Sequence, residues 1–220
     1  MAYTTTNQLK DELLFFLRNK DILTTTQRGV TTSFGTAVLS SETSMLLGVS
    51  NTKNIRDIDL DGSTLVYGTD YVYDIDYDNS GTKDCKITFT ASQSGTATVQ
   101  YDSGSTDKIF PDYPQPNLKL NAFPRIAFDI ISGNTKENEI GAGSNDSEYV
   151  VSISTYSKSQ RDTESMISDI RENLMENKKS FYFIRFITPS IMSPMIPSPF
   201  GEQKVMQRSQ DFKIRFIYEY

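Results

Sequence analysis

The sequence predicts an α+β protein, mainly antiparallel sheet with one or two packed helices, that carries an inserted small β-sandwich or barrel. Three observations predict it. Apolar residues recur at helical spacing near the N-terminus and again around residue 170. Short alternating runs closed by Gly, Asn or Asp fill the stretch from Thr24 to Gly104. The rest of the chain returns to longer strands in which aromatic and charged residues alternate.

The first helix rests on a stripe of Leu9, Leu13, Leu14, Phe16 and Leu17, spanning about Asn7 to Asn19, with Thr5 and Gln8 at capping-box spacing ahead of it. From Thr24 to Gly104 the runs SMLLGVS, NIRDIDLDG, TLVYG, YVYDIDYD, KITFT and ATVQYD follow one another at the spacing of a small all-β fold. In YVYDIDYD, Tyr71, Tyr73, Ile75 and Tyr77 share one side and Asp74, Asp76 and Asp78 the other, which predicts one core face and one acidic surface. IFPDYPQPNL, rich in proline, reads as a linker.

After the linker, FPRIAFDII from Phe123 predicts a strand, GNTKENEIGAGSNDS a polar loop, and EYVVSISTYS from Glu148 a second strand. A helix over about Asp162 to Asn177 carries Met166, Ile167, Ile170 and Leu174 on one stripe. FYFIRFITP from Phe181 and the terminal QDFKIRFIYEY predict two more strands. The β-β-α-β-β order suits an antiparallel sheet under one helix, and the N-terminal helix is expected to cover the same sheet. The expected division is therefore 1–25 and 119–220 as one discontinuous α+β domain, 26–108 as the inserted acidic β module, and 109–118 as the linker.

Charge and composition exclude several function classes. The formal charge of −6 is concentrated: residues 51–107 hold ten Asp against Lys53, Arg56, Lys83 and Lys86. No block of Lys and Arg would track a phosphate backbone, so sequence-specific nucleic-acid binding is not expected. No apolar run has the length of a membrane helix, and MAYTTTNQLKDELLFFLRNK lacks the basic start and apolar stretch of a secretory signal; residence or assembly in a cytoplasm is expected. Cys85 is the single cysteine, which rules out an intrachain disulfide and a Cys-based zinc site; it reads as a small buried hydrophobe. The chain has no His, hence no Ser-His-Asp or Cys-His machinery and no His-ligated metal. No catalytic residue, cofactor or resident metal is expected, and the chain is not expected to be an enzyme.

The remaining motifs agree. Asp57-Ile-Asp-Leu-Asp61-Gly62 copies the opening of an EF-hand loop, but its twelfth position is Gly68 where a bidentate Glu belongs. Asp74-Ile-Asp-Tyr-Asp78 has Asn79 at the sixth position and Cys85 at the twelfth. Both read as carboxylates on a solvent-facing strand, with weak calcium binding as the alternative. A glycosidase pair would need an apolar pocket around one acid, which no strand-borne Asp has. GTAVLSS and GAGSNDS lack the Lys-Ser/Thr closure of a phosphate cradle, and no secretion signal precedes the glycosylation triplet Asn145-Asp-Ser147.

The most unusual segment is TPSIMSPMIPSPFGEQ, in which Pro189, Pro194, Pro197 and Pro199 interleave with Ile191, Met192, Met195, Ile196 and Phe200. Proline excludes helix and ladder strand, so a long apolar loop is expected, either folded back on its own domain or, as the preferred reading, docked on a neighbouring subunit. Together with Phe212 and Phe216 of the last strand, Ile191, Met192, Met195, Ile196 and Phe200 are the expected subunit-interface residues.

The C-terminal half resembles a known family. Pro124-Arg125-Ile126 in a strand, a polar Gly-containing loop, EYVVSISTYSKSQRDTESMISDIRENL, a short strand, a proline-bearing loop and a final strand are similar in order to the tail-terminator and tail-completion (head-to-tail joining) proteins of long-tailed bacteriophages and related viruses. The resemblance covers about residues 1–22 and 118–220. It implies a structural virion protein of the tail or neck, assembled in the host cytoplasm, forming a homo-oligomeric ring, a hexamer in that family. Its implied partners are further copies, the tail tube protein and neck or connector proteins. NIRDIDLDGSTLVYGTDYVYDIDYD in turn resembles β modules of virion proteins. The competing expectation is a calcium- or glycan-binding surface module of a virion or cell-surface protein.

Overall fold

The computed structural model describes residues 5–75, 84–105, 107–111, 123–137, 144–200 and 203–219. In chain order the elements are α1 (Thr5–Asn19), α2 (Thr25–Arg28), β1 (Thr31–Leu46), β2 (Thr52–Leu60), β3 (Ser63–Thr64), β4 (Tyr71–Asp74) and β5 (Lys86–Ser103). They continue with β6 (Ile109–Phe110), β7 (Arg125–Glu137), β8 (Ser144–Ser157), α3 (Gln160–Glu176), β9 (Ile184–Met192), β10 (Ile196–Phe200) and β11 (Gln203–Glu219). The protein is α+β, dominated by antiparallel sheet. It divides into two compact units, one of residues Thr24–Asp107 and the other of Met1–Leu23 with Lys108–Tyr220. Among the described residues no helix is long and apolar enough to cross a membrane.

In the first unit β5 is the spine. It pairs β1 on one side, β2 and then β4 on the other, and β2 carries the short β3. Alternation along β5 sends Ile87 and Phe89, then Ala97, Val99 and Tyr101, into a core shared with Leu39, Ile55, Ile58, Tyr71 and Cys85. Burial first, then the nearby carboxylates of Asp74 and Asp84, push the Cys85 thiol up to about 12, so it stays an unreactive neutral thiol. The unit opens on a capping box the sequence reading overlooked: Thr24 Oγ1 accepts from the Gln27 amide at 3.2 Å and Gln27 Oε1 accepts from the Thr24 amide at 2.9 Å.

The β2–β3 hairpin turns on Asp61 (φ 50°) and Gly62 (φ 86°), the Asp-Gly pair that a tight two-residue turn favours. Asp61 also reaches across to β5, where its Oδ1 accepts from the Thr96 amide at 2.9 Å. That reach depends on Gly95, whose φ is 123° and where an added Cβ would lie 2.0 Å from Asp61 Oδ2. Gly95→Ala is expected to cost about 2–3 kcal/mol through backbone strain and loss of the Asp61 bond, read as a lowered midpoint in urea unfolding.

The second unit is a six-stranded sheet ordered β6-β7-β8-β11-β10, with β9 paired to β11 alongside β10. Every pairing is antiparallel except the short β6–β7 contact. One face is the main core. Ile126 and Phe128, then Tyr149, Val151 and Ile153, then Phe212 and Ile214 meet Leu9, Leu13, Phe16 and Leu17 of α1 and Met166, Ile167, Ile170 and Leu174 of α3. Both amphipathic stripes read in the sequence thus cover this sheet. α1 begins at Thr5, ahead of the expected Asn7, and α3 starts at Gln160 behind Ser159, whose hydroxyl accepts from the Asp162 amide at 3.3 Å.

Three expectations are corrected. The stretch 133–147 is not all loop: β7 runs to Glu137 and β8 starts at Ser144, paired from Arg125↔Tyr156 to Glu137↔Asn145. Polar residues hold strand conformation there because neighbouring backbones supply the ladder, with β11 extending the same rows from Tyr218 at Asn145. The expected linker begins as a strand, since Ile109 is buried in the main core; residues 112–118 lie outside the described residues. The proline-rich segment is not a loop either. β9 and β10 occupy one edge of β11 in succession, interrupted only by 193–195.

Candidate assembly surface

An edge strand needs ladder hydrogen bonds on one side only, which is how the prolines are accommodated. Pro189 stands opposite Phe212, Pro197 opposite Met206 and Pro199 opposite Lys204. Pro197 and Pro199 share one parity, so their missing N–H groups fall on the same side of β10. The same prolines deny this edge to a further strand, which leaves side chains as its means of contact.

The interruption between β9 and β10 is built by polar groups. Ser193 donates its amide to the Ser209 carbonyl at 2.9 Å, and its hydroxyl accepts from the Ser209 amide at 2.8 Å. Gln210, buried in the sheet, donates its side-chain amide to the Ile191 carbonyl at 3.2 Å and to the Asp211 carbonyl at 3.0 Å. These bonds hold Ile191 outward at 70% exposure, with Ile196 at 49% beyond the interruption. Met192 and Met195 are half-buried beside them.

Phe212, expected at an interface, is instead fully buried in the main core, because at this point of β11 Phe212 and Ile214 face the helices. Phe200 and Phe216 lie in β10 and β11, but their side chains fall outside the described residues. The structure therefore brings together Ile191, Met192, Met195 and Ile196 on one edge and removes Phe212 from it.

On the sheet face opposite the helices, β8, β11 and β9 enclose an open cavity of about 270 Å³ lined by Glu148, Phe186, Thr188, Lys213 and Arg215. Register sets this lining: Arg215 stands between Glu148 and Phe186, and Lys213 is opposite Thr188. The alternation of Lys213 and Arg215 with the aromatic residues was visible in the sequence. Phe186 was not a candidate, and only the pairing of β9 with β11 puts it there. The cup offers two cations, one carboxylate and a half-exposed ring. Such a set is suited to holding side chains of another protein.

Comparison with known proteins returned no match, either to protein-family models or among curated proteins.

The Asp-rich strands resolve differently from their sequence reading. Asp59 Oδ1 accepts from the Gly62 amide at 2.7 Å, Asp70 Oδ2 from the Val66 amide at 2.8 Å and Asp84 Oδ1 from the Gly48 amide at 3.1 Å. The first two lock turns, and the third ties the approach to β5 to the segment after β1. Among the described residues no three His, Cys, Asp or Glu side chains gather to hold a metal ion. Asp76 and Asp78 of the second repeat lie outside the described residues.

Asp102 corrects the expectation that no strand-borne Asp is enclosed. It is fully buried, with Arg28 Nη1 on its Oδ2 at 2.7 Å, and Arg56 Nε and Thr32 Oγ1 on its Oδ1 at 2.7 Å each. Arg28 also engages Asp107 through Nε at 3.2 Å and Nη2 at 3.3 Å. The guanidinium at the start of this unit thus clasps two carboxylates at its end. Spacing alone gave no sign of the clasp.

Proposed function

We propose that the chain is a structural, non-catalytic virion protein that assembles as a ring at the tail end or head-to-tail junction, terminating the tail tube and docking it to the neck. The observation that carries this reading is the proline-guarded edge of β9 and β10, which holds Ile191 and Ile196 out in water at a structural cost in buried polar bonds. A ring of identical subunits gives such an edge a place to bury. The cationic and aromatic cup beside it supports a second contact, to the tube protein or a neck protein. The resemblance in strand and helix order over about 1–22 and 118–220 supplies the address. Absence of His leaves the chain few routes to chemistry.

Ile191→Asp and Ile196→Asp are expected to leave the circular dichroism melt unchanged, because both side chains already face water, while abolishing the ring seen by light scattering and electron microscopy. A chain that stays monomeric at every accessible concentration and is missing from particles would overturn the reading. An unfolded Ile191→Asp variant would show that the edge serves the subunit's own fold instead.

A further inference from the structure

The edges of the two sheets are guarded unequally. β9 and β10 carry Pro189, Pro197 and Pro199. β3 is only two residues long. β7, past its short contact with β6, carries Asp129 and a register break at Ile130/Ser132. Short strands, bulges, prolines and charges are the usual defences of a sheet edge.

β1 has almost none of them. Over Thr31–Leu46 it contains no proline, lysine or arginine and one charge, Glu42. Among the described residues it pairs only with β5, so its other side is an open ladder. On its outward face Phe34 is 68% exposed and Val38 82% exposed, with exposed Thr36 midway between them. Pairing of Phe34 with Gln100, Thr36 with Thr98 and Val38 with Thr96 confirms that the three share one face.

We propose that β1 is a homotypic docking edge: residues 32–40 pair antiparallel with the same residues of a second copy about a two-fold axis at Thr36. That register is self-complementary, as a two-fold contact requires. Phe34 of each copy meets Val38 of the other, an aromatic and β-branched cross-strand pair. Thr36 meets Thr36, and Thr32 meets Ser40. On the inner face Gly35 meets Ala37, and Ser33 meets Leu39, which is already buried in its own subunit's core. Glu42 falls beyond the paired stretch, opposite Val30, and does not meet its own copy. The straight stretch ends where it should, at Ser41, whose φ is 61° and where the β1–β5 register shifts.

A second copy is favoured over a foreign extended peptide by the symmetric spacing of the two exposed apolar residues about Thr36. The contact lies in the acidic unit. Residues 24–107 hold eleven acidic and five basic residues, whereas 1–23 with 108–220 hold seventeen of each. Two such units repel at long range, so association is expected to strengthen as salt is added. The inference does not depend on the ring reading: Ile191→Asp should leave this dimer intact.

The test uses the full chain. T36C should form a disulfide-linked dimer under mild oxidation, since residues facing across the axis come within bridging distance. V38C alone should not, but a mixture of F34C and V38C chains should. Buried Cys85 does not compete. In sedimentation velocity, F34K and V38E should each weaken the dimer at least about tenfold, a loss of ~1.4 kcal/mol, and the F34K/V38E double variant should restore it through two cross-strand ion pairs. The proposal fails if T36C links no faster than V66C, a control at an exposed site away from β1, or if the double variant stays as weak as the singles while its circular dichroism is native. A wild-type chain that stays monodisperse and monomeric in high salt overturns it as well.

Discussion

Asp102→Ala is expected to unfold residues 24–107. The substitution leaves Arg56 and much of Arg28 without their carboxylate in a site where the Arg28 and Asp102 side chains are fully buried. Breaking one member of a buried ion pair costs about 3–5 kcal/mol, because the surviving charge remains buried and uncompensated. That is a large share of a typical domain's stability. Hydrogen exchange should report it as lost protection in β1, β2 and β5, with the sheet of β7, β8 and β11 protected as before. Asp102→Asn, which keeps one acceptor, should fall between.

The same site sets an acid limb. Burial raises the Asp102 carboxyl, but the hydrogen bonds from Arg56 and Thr32 and the charge of Arg28 outweigh it, and the net direction is downward from 3.8. A depressed value in the folded state gives stability that is fully present above the unfolded value and lost as pH falls through the folded one. The module should therefore lose stability as pH falls below the unfolded value of 3.8, and Asp102→Asn should flatten that limb.

Glu12→Ala is the second large effect, in the other unit. The Glu12 side chain, 3% exposed on α1, accepts the amides of Tyr182, Phe183 and Ile184 where the chain enters β9. Removing it strands three backbone donors in the interior, at about 3–5 kcal/mol in all. Burial raises the Glu12 carboxyl above 4.5 despite those three donors and Arg185 nearby. A raised acid has the opposite sign: stability declines as pH climbs from the unfolded value through the folded one. Glu12→Gln should erase that decline while still destabilising, because its amide hydrogens would face the backbone donors. Denaturant melts of wild type and variant at pH 4 and pH 8 separate the two contributions.

These sites show where sequence reading reached its limit. Periodicity made α3 legible down to Met166, Ile167, Ile170 and Leu174, and alternation did the same for Tyr71, Tyr73 and Ile75. The Asp61-Gly62 turn was marked by its residues but read as part of a solvent-facing strand, with weak calcium binding as the alternative, because alternating Asp residues suit all three. Arg28 and Asp102 stand 74 residues apart, and Glu12 and Tyr182 stand 170 apart. No local pattern links such pairs.

By itself the sequence determined the fold class, the helical stripes and the inward face of β4, where Tyr71 and Tyr73 pack on the first unit's core. Each follows from a period of two or about 3.6 that a short window contains. Only the tertiary structure decided that the proline segment is a pair of edge strands, since a proline is excluded or allowed according to whether a neighbour claims its missing N–H. It also decided that Phe212 belongs to the core and Ile191 to water. Those outcomes depend on which strand lies beside β11 and which polar groups close the break at Ser193, and such contacts form only when distant segments meet.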